Sequence, residues 1–180
     1  FAYFQPADIV NQVLNFGLPA PIGRGWQRTL FDPGWVCQVA QSAYSHRARK
    51  LTGLYYVGPC YVSVWLLTTP QGHILFDSTQ EPFIDDTIEN IEKVGVNLRD
   101  IKYIILSHGH LDHVGGAERI RRVTGARVVA MAEDWTMMEA LQGKSNNRDI
   151  KPNVMPKRDM VVKEGDTLTL GDQTLKFHHH

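Results

Sequence analysis

Cysteine, net charge and long apolar runs are all scarce in this chain. Its 180 residues include two cysteines, Cys37 and Cys60. Two are too few for a disulfide framework. They stay open as a pair in an oxidising compartment or as small apolar packing residues. Lys plus Arg number 19 and Asp plus Glu number 19, so the formal net charge is +0. That balance argues against a nucleic-acid surface and a charged membrane-facing one. The densest basic run, Arg119, Arg121 and Arg122 beside Glu118, reads as a solvated helix face. No apolar run approaches the ~18–20 residues a membrane span needs. No basic stretch followed by an apolar core opens the given chain, so no signal peptide is visible in it. No Gly-X-Ser-X-Gly elbow announces a serine nucleophile. Internal repeats and low-complexity segments are missing too. With 43% hydrophobic and 21% charged residues, a substantial core can still form.

What the chain does have is concentrated in residues 107–116, Ser-His-Gly-His-Leu-Asp-His-Val-Gly-Gly. Three histidines and an aspartate fall within six positions: His108, His110, Asp112 and His113. Imidazole nitrogen and carboxylate oxygen are ligands zinc prefers, and a catalytic site needs several converging with a position left open. Ile101, Ile104, Ile105 and Leu106 precede the cluster as a short apolar run, which predicts a strand buried on both faces. Ala117, Ile120 and Val123 follow at helical spacing, with Gly125 as the stop. The cluster therefore sits on a strand-to-helix loop. Alternate side chains of an extended segment share a face, so His108 and His110 can reach one ion together. Asp112 and His113 are adjacent and fit a chain already turning, aimed at a second ion.

Elsewhere the pattern alternates strands and helices. A short helix is expected over Ala7–Phe16, then a loop through Pro19, Pro21, Gly23 and Gly25. Trp26 and Trp35 read as packing residues. Strands are expected at Leu54–Gly58, Val62–Thr68 and His73–Asp77, with Pro70-Gln71-Gly72 as a turn. Ile84, Ile88, Ile91 and Val94 mark an amphipathic helix that Gly95 ends. A strand at Arg127–Met131, a helix over Glu133–Leu141, a loop over 143–158 and a hairpin around Gly171-Asp172 complete the reading. His46 and His73 read as surface or turn histidines, and Tyr55 and Tyr56 as sheet residues.

These segments resemble the metallo-β-lactamase superfamily. The metal motif carries the likeness, supported by Leu54–Gly58, Val62–Leu67, Thr69–Asp77, Leu98–Ile101, Thr124–Val128 and Glu164–Leu168, about residues 54–177 in all. The pattern is most similar to the metallo-β-lactamase subclass that binds zinc without a cysteine ligand. The resemblance implies an α/β (α+β) fold, an αββα sandwich, here C-terminally incomplete: an N-terminal extension over 1–50 and the N-terminal portion of the domain over 51–180.

By the same resemblance the cofactor is Zn2+, two ions per complete site. His108 and His110 would serve one ion and Asp112 and His113 the other, with two more histidines from the remainder of the domain. Asp112 would also be catalytic, and Asp77 would support the metal loop from behind. His178, His179 and His180 are not assigned as ligands. The implied reaction is hydrolysis of an activated acyl bond in a small-molecule substrate by zinc-activated water, with a β-lactam first. Lactone, thioester or phosphoester hydrolysis are alternatives, as is an inactive fragment lacking two ligands. An iron-dependent redox relative fits less well, because such relatives tend to carry glutamate where His110 stands. Relatives are often exported, so the expected location is periplasmic or secreted.

Overall fold

The computed structural model describes residues 53–59, 62–144 and 154–179. The expected helix over Ala7–Phe16, Trp26, Trp35, His46, Cys37 and Cys60 lie outside these residues. Within them, a six-stranded sheet runs β1 (Leu54–Tyr56), β2 (Trp65–Thr69), β3 (Gly72–Phe76), β4 (Ile101–Ile105), β5 (Arg127–Met131) and β6 (Met160–Val162), in that spatial order. The first three strands pair antiparallel, and β3 through β6 pair parallel. Parallel neighbours need crossovers. These include α1 (Ile84–Lys93) between β3 and β4, α2 (Leu111–Val114) with α3 (Ala117–Thr124) between β4 and β5, and α4 (Ala132–Leu141) after β5. A separate hairpin, β7 (Thr167–Leu170) with β8 (Gln173–Lys176), forms a second sheet.

Strand alternation sorts the core into two layers. Leu66, Leu75, Ile104 and Val128 face the helices, where they meet Ile84 and Ile91 of α1, Ile120 of α3, and Trp135 and Met138 of α4. Leu67, Ile74, Ile105 and Val129 face the other way, with Leu168 and Phe177 on and beside the hairpin. Each fully buried side chain of this size is worth roughly 1.5–3 kcal/mol relative to exposure. The result is a mixed α/β fold with helices on one face of the six-stranded sheet and the two-stranded sheet on the other. Among the described residues no helix is long and apolar enough to cross a membrane.

The departures from the sequence reading include four strands. Strand β2 begins at Trp65, not Val62; Val57 and Val64 pair ahead of it through Val57 N–H to Val64 O, 2.9 Å. Strand β3 ends at Phe76, because Asp77 turns left-handed with φ 62°. Strand β4 is not buried throughout: Lys102 is exposed at its outer end, while Ile101, Ile104 and Ile105 are buried. Strand β6 was not foreseen, since three residues are too few to show a period.

The helix stops behave as expected. Gly125 closes α3 in the left-handed conformation at φ 78°, and its N–H donates to Arg121 O. The basic face of α3 is locally neutralised. Glu118 is 7% exposed and accepts from Arg121 and Arg122, while Arg119 reaches Glu81 and Asp85.

Candidate metal centre

Three adjacent parallel strands, β3, β4 and β5, end at one edge of the sheet, in the register Phe76 to Ile105 and Ile105 to Val129. Side chains that follow such ends share the crevice where ligands of open α/β sheets bind. Asp77 follows β3, Ser107 through His113 follow β4, and Asp134 stands in the first turn of α4 after β5. The sheet thus gathers residues 77, 107–113 and 134 although they are far apart in sequence.

The loop is held from behind by Asp77, whose residue is 7% exposed. Its Oδ1 accepts Ser107 N–H at 2.8 Å. Its Oδ2 accepts from Ser107 Oγ and from His113 Nδ1, each at 2.8 Å. Ser107 Oγ also lies 3.0 Å from His108 Nδ1. The hydroxyl has one proton and gives it to the carboxylate, so it accepts from His108 Nδ1–H. The network therefore assigns the Nδ1–H tautomer to both histidines, with the lone pair on Nε2. A partner that fixes tautomer and ring orientation in this way is what ligating histidines require.

Segment 77–79 docks the rest of the loop. Asp77 N–H extends the ladder to Ile105 O at 2.9 Å. Ser78 donates its N–H and its hydroxyl to His113 O, both at 2.8 Å. Gly116 N–H donates to Thr79 O at 2.8 Å. Ser78 and Thr79 are fully buried, and Thr79 has φ 57°. A Cβ on Gly116 would stand 2.2 Å from Ser78 O, so only glycine admits this approach.

The four candidate ligands cluster at the front. The ring centroids of His108 and His113 are 4.0 Å apart, and those of His108 and His110 4.7 Å apart. His113 Nε2 lies 3.8 Å from Asp112 Oδ2. Asp112 and His113 ride on α2, a single turn whose entry residue is His110, still extended at φ −72° and ψ 145°. Burial pushes His113 down, but the hydrogen bond and charge of Asp77 outweigh it and leave the pKa raised. His108 is lowered, by burial first and then by the neighbouring His113, against the pull of Asp77.

Among the described residues no three His, Cys, Asp or Glu side chains converge in an arrangement ready to hold an ion. The donor types and the Nδ1 anchoring fit zinc; the donors themselves are adjacent rather than gathered around a common point.

Asp134 was not foreseen, nor were Ser78, Thr79 and Gly116 as loop supports. Asp134 Oδ1 accepts Gly109 N–H at 2.9 Å. Burial raises its pKa, although the Gly109 N–H pulls the other way. In sequence it is one more acid in a helical first turn, with nothing to name its partner.

Of the remaining candidates, His73 and Tyr56 lie apart from the cluster, while His178 lines the cleft beside it. His73 sits in the β2–β3 hairpin, with its Nδ1 facing Thr69 N at 3.4 Å. Tyr56 hydroxyl approaches Pro59 O and Val62 O, and burial pushes its pKa up to about 12. His178 Nδ1 lies 3.0 Å from Glu164 Oε1. His108 and His110 line a cleft with an apolar wall of Met131, Met137, Val162 and Phe177, and Asp134, His178 and His179 line it too.

Fold and loop define a class: an α/β protein with a His- and Asp-rich loop at the carboxyl ends of parallel strands. The chain belongs to the metallo-beta-lactamase superfamily, whose family profile matches residues 57–180. Solved relatives include BJP-1, a subclass B3 metallo-beta-lactamase of Bradyrhizobium japonicum, 39% identical with a TM-score of 0.63 over 71% of this chain and 49% of that one. A HARLDQ-motif mutant of the metallo-beta-lactamase from Cronobacter sakazakii is 38% identical with a TM-score of 0.62, covering 69% of this chain and 50% of that one. A UPF0173 metal-dependent hydrolase of Staphylococcus aureus (strain JH9) is 31% identical over 71 residues, 38% of this chain and 31% of the relative. The chain thus spans about half the length of the solved relatives and under a third of the curated one.

Proposed function

We propose that this chain carries the metal loop of a zinc-dependent hydrolase that opens the amide of a β-lactam. The observation that carries the reading is the Asp77–Ser107 network, which orders the Nδ1 sides of His108 and His113. His108 and His110 would hold one ion, and Asp112 and His113 the other. Zinc at such a site supplies Lewis acidity, polarising a carbonyl and bringing the pKa of water down to ~7.

The chain's own residues have narrower tasks. Asp77 and Ser107 hold the protons on the two Nδ1 atoms and keep both Nε2 lone pairs available to a metal. Asp112, with a side chain 40% exposed, offers its carboxylate to solvent, where it can orient a water and accept its proton. Met131, Met137 and Phe177 give the adjoining cleft an apolar wall suited to the body of a small-molecule substrate.

The β-lactam assignment draws support from the solved relatives, which are metallo-beta-lactamases by name. The curated relative, described only as a metal-dependent hydrolase, is equally compatible with a second reading, hydrolysis of a lactone, thioester or phosphoester. Turnover of a chromogenic cephalosporin, with and without a chelator, separates them. Chelator-sensitive turnover supports the β-lactam reading. Turnover of a lactone, thioester or phosphoester alone supports the second, and zinc uptake without turnover of any of them leaves a binding chain without activity.

A further inference from the structure

We infer that Asp134 is a positioning residue for the metal loop, acting through the Gly109 peptide. The inference rests on the reading of His108 and His110 as zinc ligands. Gly109 is the one residue between them, and its peptide sets the relative direction of the two side chains. That peptide is fixed on the α4 side. Asp134 Oδ1 accepts its N–H at 2.9 Å. A Cβ at 109 would lie 2.9 Å from Met137 Cβ and 3.1 Å from Asp134 O, so the backbone is pressed against the helix.

Asp77 grips the loop elsewhere, at Ser107 and His113, and makes no hydrogen bond to Gly109. The two carboxylates therefore have separate tasks. Asp77 fixes tautomers and anchors the loop at Ser107 and His113, while Asp134 fixes the middle, where the His108 and His110 rings meet edge to face at 86°. A buried amide N–H deprived of its acceptor seeks another partner. The Gly109 peptide has the freedom to rotate towards one, since glycine populates most of backbone space. Rotation there swings His110 away from His108 while leaving the sheet intact.

The test is zinc affinity of the whole chain, measured by competition with a chromophoric chelator, for the parent, D134A, D134N and H108A. D134A should bind zinc about tenfold or more weakly, the usual effect of losing an outer partner of a metal ligand. D134N keeps an oxygen that can accept from Gly109 N–H and should stay within about threefold of the parent. Cobalt(II) absorption should show altered d–d bands in D134A and parent-like bands in D134N. Should D134A fail to fold, D134S, tolerated in a first helical turn but too short to reach Gly109, takes its place. A lower melting temperature of the metal-free chain with parental zinc affinity would mean a structural role only and overturn the inference. If the parent binds no more tightly than H108A, the metal reading itself falls and takes the inference with it.

Discussion

Replacing Asp77 should uncouple folding from metal binding, depending on the residue put in its place. Asp77 accepts three hydrogen bonds at 2.8 Å and sits at φ 62°. In D77A, the part-buried Ser107 N–H loses its acceptor, at a cost of roughly 1–3 kcal/mol. Alanine in the left-handed region adds about 1–2 kcal/mol that Asp and Asn largely escape. Ser107 hydroxyl and His113 can reorient or change tautomer, so they add little. D77A should therefore lose about 2–5 kcal/mol of stability.

D77N tolerates the backbone, and its Oδ1 still serves Ser107 N–H, so its loss should be near 1 kcal/mol. Its NH2, however, replaces Oδ2 and faces His113 Nδ1. That nitrogen must become the acceptor, which moves the ring proton to Nε2, the atom offered to metal. Zinc affinity should fall about 10–100-fold in a chain that remains folded. Chemical denaturation of the metal-free proteins and zinc competition measure the two effects. D77N with parental zinc affinity would refute the tautomer argument, and D77A as stable as D77N would refute the energy estimate.

Gly116→Ala should cost more than a helix-compatible glycine replacement normally does. Its Cβ would be 2.2 Å from a backbone oxygen, which cannot swing aside. A loss of about 2 kcal/mol or more is expected, read as a lower urea midpoint, while parental stability would contradict the close approach. The pH dependence of the D77N effect has a definite sign. His113 is raised in the folded chain, so its contribution is full below about 6.5 and fades as pH rises through the folded value. His108 is lowered, and without Asp77 it falls further, which penalises low pH in the variant. Both effects make the parent–D77N stability gap wider near pH 6 than near pH 8 in metal-free protein, and a flat or reversed gap would contradict them.

Much of this architecture is legible in the residues. The runs Ile101–Leu106 and Arg127–Met131, the spacing of Ile84, Ile88 and Ile91, and the stop at Gly125 are local signals, and each element formed where its pattern lies. The motif residues of the candidate site were legible for the same reason, being neighbours in sequence. Asp77 was legible only through family resemblance; its contact with His113 spans 36 positions. Ser78, Thr79 and Asp134 were not legible, because their partners are backbone groups brought close by strand pairing, and any polar residue looks alike before that pairing is known. Gly116 gave a weaker sign: in the sequence a Gly-Gly pair marks a turn, but only the structure shows which glycine faces Ser78 O.

The central claim is that His108, His110, Asp112 and His113 bind zinc as two pairs. Equilibrium zinc titration tests it most directly, in a chain whose His178, His179 and His180 are changed to alanine so that they cannot contribute. H108A/H110A and D112A/H113A should each remove zinc that the parent of this series binds. Equal zinc binding by all three would contradict it.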